Sequence, residues 1–208
     1  YVLARRIAHS ERAGWIACAV TLGTSILWTR SVLMSTDSLL VFFWALAMYT
    51  YLRALDANGM RWWLATGAAL GLGMLSKYTT ALLAAALAAH LLLAGRERLR
   101  GPGPYAAAAL MLLSFLPVLW WNAAHDWISF THHVELNAPA SLSVGGRLAS
   151  LGRFFLSQGL MTSPLLLPLM LWAVFRLARR PLCGRNALFV LLTFLTPFGF
   201  YLMLAVQR

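Results

Sequence analysis

Acidic residues are scarce in this chain: six Asp and Glu stand against seventeen Lys and Arg in 208 residues. Charged residues of both signs reach only 11%, well below the roughly one quarter usual in a soluble domain. That shortage excludes a globule with a solvated, charged surface, and a composition 61% hydrophobic points instead to a chain dissolved in lipid. Cysteine is nearly missing. Cys18 sits in an apolar run and Cys183 among arginines, so there is neither a disulfide framework nor a thiolate metal spacing. Lysine occurs once, as Lys77. A net charge of +11 would suit a nucleic-acid partner. The arginines, however, stand in short clusters beside apolar runs and form no basic stripe with interleaved aromatics, so no nucleic acid is expected. The opening YVLARR has no methionine and no charged-then-apolar leader, and reads as the inside of a longer chain.

Seven apolar segments are present, at 13–29, 38–55, 62–76, 79–94, 105–121, 154–175 and 187–206. Helices are expected in each, because a backbone N–H or C=O left unpaired in hydrocarbon costs several kcal/mol. The predicted fold is all-α: one polytopic transmembrane domain over 1–208, about seven helices, with a polar loop at 122–148. Pro164, Pro168 and Pro197 should kink their helices. Gly67 and Gly71 form a small-xxx-small pair suited to close helix packing.

If each segment crosses once, the charges sort by side. Arg5, Arg6, Arg12, Arg53, Arg61, Arg96, Arg98, Arg100, Arg176, Arg179, Arg180 and Arg185 share one face, twelve of the seventeen basic residues. The positive-inside rule makes that face cytoplasmic. Arg30, Lys77, Arg147, Arg153 and Arg208 fall on the outer face, together with most of the polar chemistry.

Three outer-face clusters stand out. Ser35, Thr36, Asp37 and Ser38 precede LLVFFWALAMY; they suit a helix cap, and Asp37 also suits a carboxylate that binds a metal or orients a nucleophile. In SKYTT, Lys77 and Tyr78 fit an interfacial anchor, or a cation and hydroxyl that reach a lipid-linked phosphate. In NAAHDWISFTHHVELNAPAS, His125, Asp126, His132, His133 and Glu135 lie beside Trp127 and Phe130. Their spacing matches no compact metal site; an interfacial amphipathic segment or a sugar-binding surface fits better.

MSTDSLLVFFWALAMY, GLGMLSKYTTALL, WWNAAHDWISFTHH and RFFLSQGLMTSPLLL, in that order over nearly the whole chain, resemble successive segments of bacterial polyprenol-phosphate-sugar glycosyltransferases. These are related to protein O-mannosyltransferases and the lipid A aminoarabinose transferase. The resemblance implies a GT-C fold in the plasma membrane with its active face outward. It also implies a polyprenyl-phosphate-sugar donor and a lipid, glycan or protein acceptor. Asp37 and Lys77 match family positions that contact donor or metal. Asp37 is the catalytic candidate within this stretch, and the resemblance implies that the family's principal catalytic acid belongs to an outer loop upstream of it. The remaining polar candidates, Tyr78, His125, Asp126, His132, His133, Glu135 and Arg153, are expected to contact sugar, phosphate or acceptor. No metal ligand is assigned, and a divalent metal ion is admitted as cofactor without being required. A transporter and a non-catalytic membrane scaffold are the rival readings; transport wants ionisable groups at midplane, where His90 alone qualifies, and only toward the cytoplasmic end.

Overall fold

The structure, a computed structural model, describes residues 1–24, 36–136, 143–179 and 184–207. Among the described residues the regular structure is entirely helical. In chain order the helices are α1 (Val2–Ala8), α2 (Glu11–Leu22), α3 (Thr36–Ala57), α4 (Met60–Ser76), α5 (Thr80–Ala94), α6 (Gly103–Ala123), α7 (Ile128–Leu136), α8 (Val144–Thr162), α9 (Leu166–Ala178) and α10 (Arg185–Gln207), with a 3-10 turn at Arg96–Arg100 after α5.

The all-α membrane fold stands; the number of crossings does not. Among the described residues three helices, α3, α6 and α10, are long and apolar enough to cross a bilayer, and α8 with α9 makes a fourth if the pair is one broken span. With 17 residues α4 extends only about 25 Å, and α5, with 15, about 22 Å, against a hydrocarbon core of about 30 Å. The three-residue turn at Lys77, Tyr78 and Thr79 ends both early. The segment expected as one helix at 154–175 is two, meeting at 107°. Pro164, in the break, cannot donate a helical hydrogen bond and crowds the preceding turn. Pro197, by contrast, lies inside an unbroken α10.

Packing centres on α4, which lies between α3 and α6, while α5 leans on α10. Ala47, Tyr51 and Leu55 of α3, Trp63 and Leu70 of α4, Leu83 and Leu87 of α5, Ala107 of α6 and Phe189 of α10 form one buried cluster. The approach of α4 to α6 depends on glycine. A Cβ added at Gly67 would stand 2.4 Å from the Ala107 carbonyl oxygen, a backbone atom that cannot swing aside, and one at Gly71 would meet Ser114 at 2.6 Å. Gly67 and Gly71 therefore do the close-packing work expected of their spacing.

Two buried polar clusters are paired across helices, Thr50 with Thr66 and His90 with its neighbours. His90 is wholly buried; its Nδ1 lies 2.8 Å from the Tyr51 hydroxyl and its Nε2 3.0 Å from the Arg185 carbonyl oxygen. These bonds join α3, α5 and the start of α10 at one end of the bundle. Arg6 and Arg185 both pair with Asp56 there, Arg185 at 2.5 Å. The α3–α4 hairpin carries the chain from this Asp56 end to the opposite one, where Lys77 lies.

Candidate functional site at the Lys77 end

Lys77 follows the last turn of α4 in extended backbone, and its N–H donates to the Gly73 carbonyl at 2.9 Å. Glycine is needed at 73 because a Cβ would stand 2.8 Å from Thr80 Cγ2, where the start of α5 folds back on α4. That tight return aims the only ammonium of the chain at the N-terminus of α3. Its Nζ lies 2.7 Å from Asp37 Oδ1. Asp37 occupies the first turn of α3, where the helix dipole also favours a negative charge. Lys77 is 46% exposed and Asp37 20%, so the pair joins two helices while leaving the ammonium open on one side. Each residue stands out separately in the sequence as a charge beside an apolar run. Their pairing, forty positions apart, comes from the antiparallel hairpin.

Tyr78 connects this pair to the second polar stretch. Its ring stacks on Phe130 of α7 with centroids 5.6 Å apart and meets Phe115 of α6 edge-on, also at 5.6 Å. The polar stretch at 122–148, read as a loop, holds the whole of α7 and the first turn of α8. Asn122, which the sequence reading passed over, organises its beginning. Buried to 1% exposure, it donates from Nδ2 to the Val118 carbonyl at 2.9 Å and accepts at Oδ1 from the Ser129 N–H at 3.2 Å, while its carbonyl accepts from the Trp127 N–H at 2.9 Å. These bonds hold Asp126 and Trp127 in succession at φ 52° and 56°. Asparagine and aspartate tolerate that left-handed region; a tryptophan there is strained and must be held by its surroundings. The available signal was an amide closing an apolar run, just before a turn.

The other candidates are spread more widely. His125 stacks on Trp121 at 4.2 Å and its Nδ1 lies 2.8 Å from the Trp121 carbonyl oxygen, so it is folded back on α6. His132 and Glu135 are exposed on α7, and the side chain of His133 lies outside what the structure describes. Arg153 donates to Ser150 at 2.9 Å on its own helix, α8, which packs on α9 and α10. Ser35, Arg30 and Cys183 lie outside the described residues. The structure thus brings together Asp37, Lys77 and Tyr78, with Phe115 and Phe130 packed against Tyr78.

Among the described residues no three His, Cys, Asp or Glu side chains gather to hold a metal ion. A hard divalent cation takes about six oxygens, whereas Asp37 already has an ammonium as counter-ion and Asp126 and Glu135 do not gather with it among the described residues. The described donor set does not fit a metal.

Fold and site define a helical integral membrane protein with a polar, aromatic-backed site at one end of its bundle. The chain belongs to the family described as dolichyl-phosphate-mannose-protein mannosyltransferase, whose family model matches residues 1–121, and so to a family of glycosyltransferases. It is also 32% identical over 177 residues to the lipid A galacturonosyltransferase RgtD of Rhizobium johnstonii, a match covering 85% of this chain and 37% of that protein. The chain thus spans little more than a third of that relative's length. With its membrane-capable helices, this likeness marks a bacterial membrane protein. No solved structure matches the chain.

Replacing Asn122 with Ala strips the turn of two side-chain hydrogen bonds. Thermal unfolding in detergent should show a loss of about 1–3 kcal/mol, with faster chymotryptic cleavage beside Trp127. Unchanged unfolding and cleavage would mean that Asn122 does not hold the turn.

Proposed function

We propose that this chain forms part of a membrane glycosyltransferase that moves a sugar from a polyprenyl-phosphate donor to an acceptor at the Lys77 end, facing outward from the bacterial plasma membrane. The observation that carries the reading is the Asp37–Lys77 pair, which fixes a half-exposed ammonium beside an aromatic shelf at the edge of the apolar bundle. A lipid-linked phosphate would lie at that depth, with its isoprenoid tail among the helices.

In the reaction the acceptor hydroxyl oxygen forms a new bond to the anomeric carbon. The bond from that carbon to the phosphate oxygen breaks, and the lipid phosphate leaves with the electron pair. The acceptor proton passes to a base that the described residues do not identify. Lys77 neutralises charge as it develops on the leaving phosphate, a form of electrostatic stabilisation that requires the cation to be in place beforehand. Asp37 supplies that placement and is therefore a positioning residue. Tyr78 offers a hydroxyl beside the same turn. His125, Asp126, His132, His133, Glu135 and Arg153 remain proposed contacts for sugar or acceptor, from the loop and helices around this end. The RgtD likeness suggests the first substrates to assay: a polyprenyl-phosphate-linked uronic acid as donor and lipid A as acceptor.

Exchange of Lys77 for Met in the full-length protein should reduce transfer about tenfold or more while thermal unfolding stays near that of the parent, since one charge-assisted contact is worth about 1.5–3 kcal/mol. Normal transfer by that variant would remove Lys77 from the chemistry.

Orientation has its own check. In a background free of Cys18 and Cys183, single cysteines at Ser76 and His125 should react in intact cells with a membrane-impermeant maleimide, and one at Asn58 only after lysis. The reverse pattern, or opposite behaviour of 76 and 125, would overturn the outward assignment.

A further inference from the structure

At the Asp56 end, α1, the start of α2, α3 and α10 border a half-open cavity of about 620 Å³. Arg5, Arg6, Arg53 and Arg185 line it, with Glu11 and Asp56 as its acids. Four guanidinium groups against two carboxylates leave an excess of two positive charges. The acids are already engaged. Arg5 pairs with Glu11 at 2.9 Å, and Arg6 and Arg185 share Asp56. Arg53 pairs with no carboxylate among the described residues. Its guanidinium carbon lies 4.7 Å from the centroid of the Trp62 ring, and its Nε is buried without an acceptor. A planar fork held on an aromatic face and short of an acceptor is prepared for an oxyanion, phosphate above all.

The same helix face continues past the cavity as hydrocarbon. Leu40, Val41, Trp44, Ala45 and Met48 of α3, with Leu3 of α1, line a groove of about 380 Å³ whose walls are apolar side chains. Spacings of three and four run from Val41 through Ala45, Met48 and Leu52 to Asp56, so the groove leads to the edge of the cavity at Leu52 and Asp56, with Tyr49 and Arg53 on the adjoining face of α3. Val41 to Asp56 is about 22 Å of helix, close to the length of a fatty acyl chain.

We infer that this side of α3 binds an anionic phospholipid, its phosphate in the arginine-lined cavity and one acyl chain along the Leu40–Met48 groove. A free phosphate would use the cavity and leave the groove empty; a zwitterionic lipid would bring its own cation into a lining already in excess of positive charge. Basic pockets between membrane helices are suited to such head groups. The site lies at the opposite end from Lys77 and stands or falls independently of glycosyl transfer.

The test titrates the purified protein in neutral detergent with phosphatidylglycerol, phosphatidylcholine or inorganic phosphate and follows thermal unfolding. Phosphatidylglycerol is expected to raise the melting temperature saturably, with phosphatidylcholine and equimolar inorganic phosphate giving little shift. Arg53→Gln should weaken the apparent phosphatidylglycerol affinity about tenfold, whereas Arg176→Gln, on α9 and outside the cavity, should titrate like the parent. Equal stabilisation by phosphatidylcholine, or by inorganic phosphate alone, overturns the assignment, as does an Arg53→Gln protein that binds phosphatidylglycerol unchanged. The three-way comparison on the unaltered protein decides the question even if a variant folds poorly.

Discussion

Charge cannot rest unpaired in hydrocarbon, and this chain meets that constraint by sending its ion pairs to the two ends of the helices. At one end Arg6 and Arg185 converge on Asp56; at the other Lys77 meets Asp37. Both arrangements use α3, whose first turn carries Asp37 and whose last carries Asp56. Between them Thr50 and Thr66 bond to each other across α3 and α4 and back to their own helices' carbonyls. Exposed or half-exposed ion pairs contribute little stability singly, about 0–1 kcal/mol. Their importance here is positional, since each fixes which helix ends meet.

The two ends differ in what they leave available. At the Asp56 end arginines outnumber acids and surround a cavity. At the Lys77 end the described residues set the Lys77 ammonium against Asp37, with aromatic rings and a strained turn beside them. Holding Trp127 in the left-handed region costs about 1–3 kcal/mol, and Asn122 and the end of α6 bear that cost. His90 shows the opposite character. With both ring nitrogens engaged and no solvent contact, it is part of the packing and gives a transport pathway nothing to work with.

Much of the fold could be read from the sequence because hydrocarbon leaves few choices. Runs of apolar residues become helices, and the boundaries expected for α3 through α6 fall within a few residues of those found. What could not be read depends on three dimensions. Nothing local announces that α4 and α5 are shorter than the hydrocarbon core is thick, since the turn at Lys77 is set by how closely Gly73 allows Thr80 to approach. A proline at 164 announces a kink, but the 107° angle comes from how α8 and α9 pack. At the site, Asp37 and Lys77 were each conspicuous as charges in apolar surroundings, while their pairing and the stacking of Tyr78 on Phe130 are properties of the assembled bundle. Asn122 was overlooked because a buried amide looks in sequence like any turn residue.

The central claim is that Asp37 serves to place an ammonium that must be at position 77. Reciprocal exchange, Asp37→Lys together with Lys77→Asp, separates placement from chemistry when stability and sugar transfer are measured side by side in the full-length protein. The exchanged pair is expected to regain most of the stability lost in either single variant, short of the helix-dipole contribution at position 37, while transfer stays at the level of Lys77→Met. Recovery of transfer along with stability would contradict it, since the cation would then be needed only somewhere in the pair.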